Sequence, residues 1–375
     1  MTSASTTTAG TPSVAAQGDA ALARLVREQL RPRVVAIDRQ GQYPAEFLRH
    51  FGALGGFLPP GPGGIASAIE STAQVAQVCG STAFLTWCQN ACLWYLLNTP
   101  NQALRDTVLP ELATGIRMGA TALSNPVKAF SGIEAFKLSA TRVQGGYRVN
   151  GSLPWVSNLG RDHAFPSIFK VGDSTAMALF DCAQPGVAQP PTAPFIALEG
   201  TATFALRFKD VFVPESAVLA APAAPFVQQV QPGFVLLQTG IGLGLLRGAI
   251  EDMTAADRTH RLANQHLPDR PAFFAEQLAL FETRIASLAQ LPTTIAVERL
   301  RDILQLRLDL AELVLRATMS AVLHAGAAGF IATAAPQRRH REALFFAILT
   351  PATKHLRLLL AAGPSATVGE PQHPV

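Results

Sequence analysis

The segment "SNPVKAFSGIEAFKLSATRVQGGYRVNGSLPWVSN", residues 124–158, decides the fold class, because much of it alternates apolar and polar residues with a period of two. It opens with a Ser-Asn-Pro turn. Within it, "GGYRVNG" predicts a β-hairpin in which glycines flank an alternating strand. Two later segments, "TAMALFD" and "TFALRFKDVFVP", alternate in the same way, with turn residues between them. We therefore predict a compact β unit over residues 120–222.

Helical patterns lie on both sides of this unit. Segments such as "ALARLVREQLRPRVVAIDRQ" before it, and four long segments after it, repeat apolar residues at steps of three and four. The chain is therefore predicted to be an α+β multidomain protein. Its predicted parts are a disordered tail at 1–19, an N-terminal α-helical domain at 20–119, a middle β-barrel domain at 120–222, a C-terminal four-helix bundle at 223–362 and a flexible tail at 363–375.

The composition excludes some functions. Of the 375 residues, 49% are hydrophobic and 15% are charged, so we expect a large buried core or a buried subunit interface. The net charge of +4 comes from scattered arginines rather than from a basic stripe with interleaved aromatics, so no nucleic-acid partner is expected. Gly, Pro, Gln or Arg interrupts each apolar run before it reaches about 20 residues, so no membrane span is predicted.

The four cysteines are Cys79, Cys88, Cys92 and Cys182, and they include no Cys-x-x-Cys pair and no histidine at zinc spacing. We therefore predict no metal site, and unpaired thiols favour a reducing compartment. The N-terminal residues lack the basic and apolar regions of a signal peptide. A cytoplasmic location is expected.

Three motifs in order carry a resemblance to a known family. "GATALSNP" stands where the acyl-CoA dehydrogenase superfamily has a Thr-Glu-Pro turn after a small-residue strand. "GGYRVNGSLPWVSN" stands where the family has a glycine-rich hairpin followed by Trp-Ile-Thr-Asn, and "RFKDVFVPESAVL" resembles the strand that leaves the barrel. The resemblance covers about residues 20–360. It implies the predicted three-part fold, FAD as the cofactor and usually a tetramer.

The resemblance also implies which residues contact the flavin. A flavin ring needs an apolar stacking surface and a few hydrogen-bonding groups at its edges. By the family pattern, Leu123 and Ser124 would contact the edge of the ring, and Trp155 and Ser157 its face and N5 side. The alternative is that Trp155 is a core aromatic of the barrel and that Ser124 caps a turn or helix.

A second cofactor signal is "HAGAAGF", residues 324–330, which resembles the family's Gly-Gly-x-Gly-aromatic turn. Gly326 and Gly329 would let the backbone approach the pyrophosphate of FAD, although Ala327 replaces the second glycine. The alternative is a plain turn between helices. A glutamine of the family on the adenosine side is replaced here by Leu323.

The family also uses an arginine that reaches the pyrophosphate of the neighbouring subunit's FAD. His260 stands at that position, and Arg258 and Arg261 flank it and are predicted to supply the charge. The alternative for both arginines is an exposed helix end.

The catalytic base of the family is absent. Its glutamate falls on Thr350, and the alternative glutamate position used by some relatives falls near Phe234. A threonine does not take a proton at neutral pH unless another group activates it. Glu342 and His355 are the candidate replacement bases.

The segment that contacts the coenzyme A arm in the family is also altered. It contains Lys128, Phe130 and Ser131. Lys128 would pair with a phosphate or remain a solvated loop lysine, and Phe130 would narrow the entrance. These three residues are the candidate substrate-binding residues.

Three functions remain open. The first is an FAD-dependent acyl-CoA dehydrogenase, which would remove hydrogens from the α and β carbons of an acyl thioester and pass electrons to electron-transferring flavoprotein. The second is a monooxygenase on the same fold, which would use O2 and reduced flavin, FMN included, supplied by a flavin reductase; His324, His340 and His355 would then be candidate proton donors. The third is a degenerate partner subunit of a hetero-oligomeric dehydrogenase. A homotetramer or homodimer is expected, with a hetero-oligomer as the alternative.

Overall fold

The structure is a computed structural model that describes residues 14–362. The predicted C-terminal tail and the first 13 residues of the predicted N-terminal tail lie outside this range. Residues 14–19 were predicted to belong to the disordered tail, but they are helical, because the first helix begins at Val14.

The N-terminal part is helical. Helix α1 continues into a π-type turn at Val26–Leu30 and a 3-10 turn at Arg31–Arg33 before α2 begins. The helices are α1 (Val14–Leu25), α2 (Val34–Gln40), α3 (Ala45–Ala53), α4 (Gly64–Val78), α5 (Gly80–Asn98) and α6 (Gln102–Ala113). Helix α5 is buried over nearly its whole length, including its polar residues. This burial on all sides explains its apolar composition.

The middle part opens with a helix instead of the predicted Ser-Asn-Pro turn, and this helix is α7 (Ser124–Phe130). Seven strands follow in one sheet, in the order β5-β6-β2-β1-β3-β4-β7. Their bounds are β1 (Leu138–Val143), β2 (Gly146–Val156), β3 (Ala164–Val171), β4 (Ser174–Asp181), β5 (Val187–Ala188), β6 (Phe204–Pro214) and β7 (Val218–Ala220). Strands β1 and β3 are parallel and the other pairs are antiparallel. The strand order has two ends, so we describe a sheet rather than the closed barrel that was predicted.

The predicted hairpin is present as β1 and β2, which pair from Leu138 with Gly151 to Val143 with Gly146. Gly151 has a φ of 131°, and a Cβ there would lie 2.1 Å from the carbonyl oxygen of Lys137. Only glycine fits this position, which coincides with a register shift between β2 and β6.

The C-terminal part is helical. Its helices are α8 (Ala223–Asn264), α9 (Pro271–Ala289), α10 (Thr293–Glu298), α11 (Leu300–Ala325), α12 (Ala335–Ile348) and α13 (Thr353–Ala361). Between α11 and α12 lies a 3-10 turn, Gly326–Phe330. Helix α8 is interrupted at His260, whose backbone is not helical.

The helices of both ends of the chain share one hydrophobic core, whereas the sheet has a second core of its own. The sheet core contains the clustered rings of Phe165, Phe169, Phe180 and Phe208. The N-terminal helices therefore stabilise the C-terminal helices directly. The sheet has its own core on one side and also contributes residues of β3 and β4, such as Ile168 and Met177, to the core of the helices.

The prediction of no membrane span is not supported by length and composition. Three segments, 223–264, 300–330 and 335–361, are long and apolar enough to cross a membrane by these two criteria alone. In the first of them, 89% of the most apolar window is buried inside the protein. Its apolar character therefore matches an interior helix.

Candidate functional site

The candidate site lies where α7 meets the loop between α12 and α13. The hydroxyls of Ser124 and Thr350 form a hydrogen bond of 2.9 Å across this junction. Sequence reasoning assigned one of these residues to the edge of the flavin and the other to the position of the base. The structure brings the two side chains together, although they are 226 residues apart in the chain.

A buried polar network supports Thr350 from behind. The side-chain amide of Gln238 on α8 donates to the carbonyl oxygen of Thr350 at 2.8 Å. Arg307 on α11 in turn donates through Nε to the Oε1 of Gln238, also at 2.8 Å. Sequence reasoning missed both residues. The signal was an arginine at an apolar position in the "LQLRLDLAEL" pattern of α11.

Arg307 is unusual because its charge is buried without a carboxylate partner among the hydrogen bonds and ion pairs of residues 14–362. The side chain is 0% exposed, and its guanidinium lies 3.7 Å from the ring centre of Phe346. It also donates to the carbonyl oxygen of Phe346. Burial lowers the pKa of Arg307 to about 9, so the group remains charged at neutral pH. The positive charge is therefore held two hydrogen bonds behind Thr350.

His355 lies at the other end of α7. Its Nε2 is 2.9 Å from the Oγ of Ser131, and that hydroxyl donates to the carbonyl oxygen of Val127. Nε2 therefore carries the hydrogen, and Nδ1 is a buried acceptor without a partner in the described part of the chain. Burial and the nearby charge of Lys128 lower the pKa of His355 to about 4. The imidazole is neutral at pH 7.

Two candidate substrate-binding residues have partners inside the loop after α7. The amine of Lys128 lies 3.0 Å from a carboxylate oxygen of Glu134, which also accepts from Asn125. The ring of Phe130 packs edge-on against Phe136, with ring centres 5.1 Å apart. The charge of Lys128 is therefore already compensated within the chain.

The structure does not bring Glu342 into this site. Its side chain lies against Gly80 at the start of α5 and 3.5 Å from the Nε of Arg338. It is 2% exposed, and burial raises its pKa despite the nearby arginines. Glu342 joins the N-terminal helices to α12, and this location contradicts its prediction as a replacement base.

The alternative base position also holds no acid. The ring of Phe234 on α8 lies 5.2 Å from Trp87 and 6.2 Å from Tyr95, measured between ring centres. Phe84 stacks on Trp87 and contacts Phe345 on α12. Aromatic rings therefore occupy this region between α5 and α8.

The predicted ring-contacting residues of the sheet lie at the end of β2. Trp155 is 63% exposed, and no other aromatic ring within residues 14–362 stacks on it. This excludes the alternative that Trp155 is a core aromatic. The hydroxyl of Ser157 lies 2.6 Å from that of Thr203. Leu123, by contrast, is buried directly before the exposed Ser124.

The two pyrophosphate elements are neighbours. The amide of Asn264 at the end of α8 donates to the carbonyl oxygen of His324, two residues before Gly326. Arg258 and Arg261 are exposed on that end of α8 and form no ion pair in the described part of the chain. Gly326 has a φ of 57°, and a Cβ there would meet nothing within 4 Å. Gly329 is packed, because a Cβ there would lie 2.8 Å from that of Ala325.

The other two histidines proposed as proton donors are tied to α11. Nδ1 of His324 donates to the carbonyl oxygen of Ser320 at 2.8 Å, which leaves Nε2 buried without a partner in the described residues. His340 contacts the hydroxyl of Thr318, and burial lowers its pKa. Neither histidine contacts Ser124 or Thr350 through a hydrogen bond.

The residues present fit an FAD. The exposed indole of Trp155 matches the apolar face of the flavin ring, and the hydroxyls of Ser124 and Ser157 match its polar edges. The open turn at Gly326, with Arg258 and Arg261 unpaired in the described residues, matches the pyrophosphate. No group of three or more His, Cys, Asp or Glu within residues 14–362 is arranged to hold a metal.

Comparison with known proteins gives one family match and several relatives. The family model "Acyl-CoA dehydrogenase, N-terminal domain" matches residues 17–116. Isovaleryl-CoA dehydrogenase of Solanum tuberosum is 26% identical over 238 residues, which are 59% of this chain and 55% of that protein. The matched region thus spans about half the length of that curated relative.

Solved structures share the fold over nearly the whole chain. An acyl-CoA dehydrogenase from Geobacillus kaustophilus superposes with a TM-score of 0.81 at 16% identity and covers 92% of this chain and 96% of its own. A glutaryl-CoA dehydrogenase from Mycobacterium smegmatis, in complex with FADH2, has a TM-score of 0.76 at 16% identity and covers 94% and 95%. At 16% identity these similarities show that the fold is shared, and they show nothing about activity.

Proposed function

Since this chain is a relative of the acyl-CoA dehydrogenases in sequence and has their fold, we propose that it is an FAD-dependent oxidoreductase that acts on an acyl thioester. The observation that carries this proposal is the contact of Ser124 with Thr350, because it joins the expected flavin edge to the expected place of the reacting carbons. FAD rather than FMN is proposed, since a structural neighbour holds FADH2.

In the proposed reaction the thioester loses a proton from its α carbon and a hydride from its β carbon. Bound FAD would supply the two-electron acceptor for the hydride. Trp155 would cover one face of the ring, and the hydroxyls of Ser124 and Ser157 would orient its edges. The aromatic rings around Phe234 would form a wall of the acyl-binding site and exclude water from it.

The acceptor of the α-proton is the unusual part of this proposal. Thr350 is uncharged at neutral pH, and the side chain of Glu342 is buried against α5, away from the site. We assign the proton to His355, whose pKa of about 4 gives it the basicity of an ordinary glutamate. Ser124 and Ser131 are separated by roughly 10 Å along α7, and the free Nδ1 of His355 is buried. The proton would therefore need at least one intervening group to carry it from the site to His355.

A second candidate function is a flavin-dependent monooxygenase. It is favoured by one observation: within residues 14–362, no carboxylate or imidazole is hydrogen-bonded to the hydroxyls of Ser124 or Thr350. Such an enzyme would need no α-proton acceptor. A flavin reductase would supply two electrons, and of the two oxygen atoms of O2 one would enter the substrate and the other leave as water.

One experiment separates these functions. The protein is loaded with FAD and mixed without oxygen with acyl-CoA thioesters of different lengths, while the visible absorbance of the flavin is followed. Loss of the absorbance is the expected result. The variant T350E should reduce the flavin at least about tenfold faster, because it restores a carboxylate, whereas T350V should show no gain.

Other outcomes would overturn the proposal. Protein that does not bind FAD contradicts the proposed FAD-dependent function. FAD that is bound but unaffected by every thioester, together with O2-dependent product formation after chemical reduction, identifies the monooxygenase. Bound FAD with neither activity identifies a partner subunit of another dehydrogenase.

A further inference from the structure

The hydroxyls of Ser157, Thr203 and Thr201 form a chain that leads inward from the end of β2. The Oγ of Ser157 lies 2.6 Å from the Oγ1 of Thr203, and this atom lies 2.8 Å from the Oγ1 of Thr201. Thr201 donates to the carbonyl oxygen of Leu198 at 2.6 Å. The 3-10 turn at Glu199–Thr201, just before β6, supplies the inner end of the chain, and the end of β2 supplies the outer end.

The carbonyl oxygen at the inner end sets the direction of every hydrogen bond in the chain. Leu198 offers only lone pairs there, so the single hydroxyl hydrogen of Thr201 points to it. Thr203 must then donate to Thr201, and Ser157 must donate to Thr203. The opposite direction would leave two oxygens 2.6 Å apart with no hydrogen between them. Thr201 is 1% exposed, so water does not compete for its hydrogen.

Ser157 therefore presents only lone pairs to a ligand at the end of β2. A ligand atom that carries a hydrogen is recognised there, and an atom with a bare lone pair is not. The two oxidation states of a flavin differ in this respect. Its N5 carries a hydrogen in the reduced ring and a lone pair in the oxidised ring.

We propose that Thr201 and Thr203 are positioning residues that hold Ser157 as a hydrogen-bond acceptor, so that this site binds reduced flavin more tightly than oxidised flavin. This inference rests on the proposed function, in which Ser157 lies at the N5 side of the ring. Tighter binding of the reduced form raises the midpoint potential of the bound flavin. A higher potential makes the flavin a stronger oxidant of the thioester.

The test is the midpoint potential of the FAD-loaded protein, which does not depend on turnover. The variant T203V keeps the shape of the side chain but removes the acceptor of Ser157, whose hydrogen is then free to point at the oxidised ring. We expect the preference for reduced over oxidised flavin to fall about tenfold, the size of one neutral hydrogen bond. For a two-electron couple this corresponds to a potential about 30 mV lower.

Matched variants separate the effect of the hydroxyl's hydrogen bond from an effect on packing. T203S keeps the hydroxyl and should restore the parent potential. T201V breaks the chain one step further in and should lower the potential in the same direction as T203V. T192V is the control, because the hydroxyl of Thr192 donates to the backbone oxygen of Thr203 and lies outside the chain; its potential should equal that of the parent.

Failure of this inference differs from failure of the proposed function. If the parent does not bind FAD, the proposed function is wrong. If the parent and both valine variants bind FAD with the same midpoint potential, the function stands and the role of the hydroxyl chain is wrong. Equal losses in T203V and T203S would show a packing effect and would also contradict it.

Discussion

Burial determines the protonation of His355 at this site. His355 was predicted as a candidate replacement base, but its properties come from neighbours on another element. Ser131 accepts from its Nε2, and its Nδ1 has no partner in the described part of the chain. Desolvation, together with the charge of Lys128, lowers its pKa to about 4. Sequence reasoning could name the residue, but it could not predict this shift.

The pKa of His355 leads to a pH-dependence of stability. An unfolded histidine takes up its proton near pH 6.5, whereas the folded one does so only near pH 4. Between these values the unfolded chain binds more protons, so the free energy of unfolding rises with pH. In H355Q this rise should be smaller by about 2 kcal/mol between pH 4.5 and 7, as measured by urea unfolding.

The control for this measurement is H266Q, because His266 is exposed. It should keep the full rise. Some rise should remain in H355Q, since burial also lowers the pKa values of His163 and His340. A rise in H355Q equal to that of the parent would contradict the shifted pKa of His355.

Elements pack closely where glycines allow it. Helix α8 carries "GIGLGLLRG", and a Cβ at Gly244 would lie 2.2 Å from the carbonyl oxygen of Ala73 on α4. A Cβ at Gly240 would lie 2.5 Å from the carbonyl oxygen of Ile69 on the same helix. The sequence pattern predicted an amphipathic helix here. It could not predict that glycines four residues apart serve the contact with α4, because the partner helix is about 170 residues away.

The variant G244A should therefore destabilise the protein. The new methyl group would meet backbone atoms that cannot move independently, and such overpacking costs about 1–3 kcal/mol. The control is G18A in α1, where a Cβ would meet nothing within 4 Å. There the better helix propensity of alanine should stabilise the protein by up to about 1 kcal/mol. Thermal unfolding should show a lower melting temperature for G244A and a higher one for G18A. A melting temperature of G244A equal to that of the parent would contradict the close contact.

One buried ion pair contacts all three parts of the chain. Arg341 on α12 binds both carboxylate oxygens of Asp38 on α2, at 2.9 and 2.6 Å, and donates to the carbonyl oxygen of Ile196 in the segment before β6. All three parts of the chain therefore meet at one guanidinium. No local pattern could predict this pair, because the two residues lie 303 positions apart in the chain.

Removing one partner should weaken the assembly of these parts. In D38N the charge of Arg341 stays buried without a carboxylate, and this loss typically costs about 3 kcal/mol. The double variant D38N/R341M should recover part of that loss, because no unpaired charge remains. The surface variant E28Q breaks the exposed pair with Arg27 and should change stability by less than about 0.5 kcal/mol. Equal melting temperatures for D38N and E28Q would contradict this role of Asp38.

The sequence by itself determined the order of helices, sheet and helices, the hairpin and the resemblance to acyl-CoA dehydrogenases. Local periods and turn residues carry that information, since they depend on neighbours within a few residues. Only the tertiary structure decided that Glu342 is sealed away from the site, that Arg307 and Gln238 support Thr350 and that two threonines direct the hydroxyl of Ser157. Burial and hydrogen-bond direction depend on groups far apart in the chain, so no local pattern contains them.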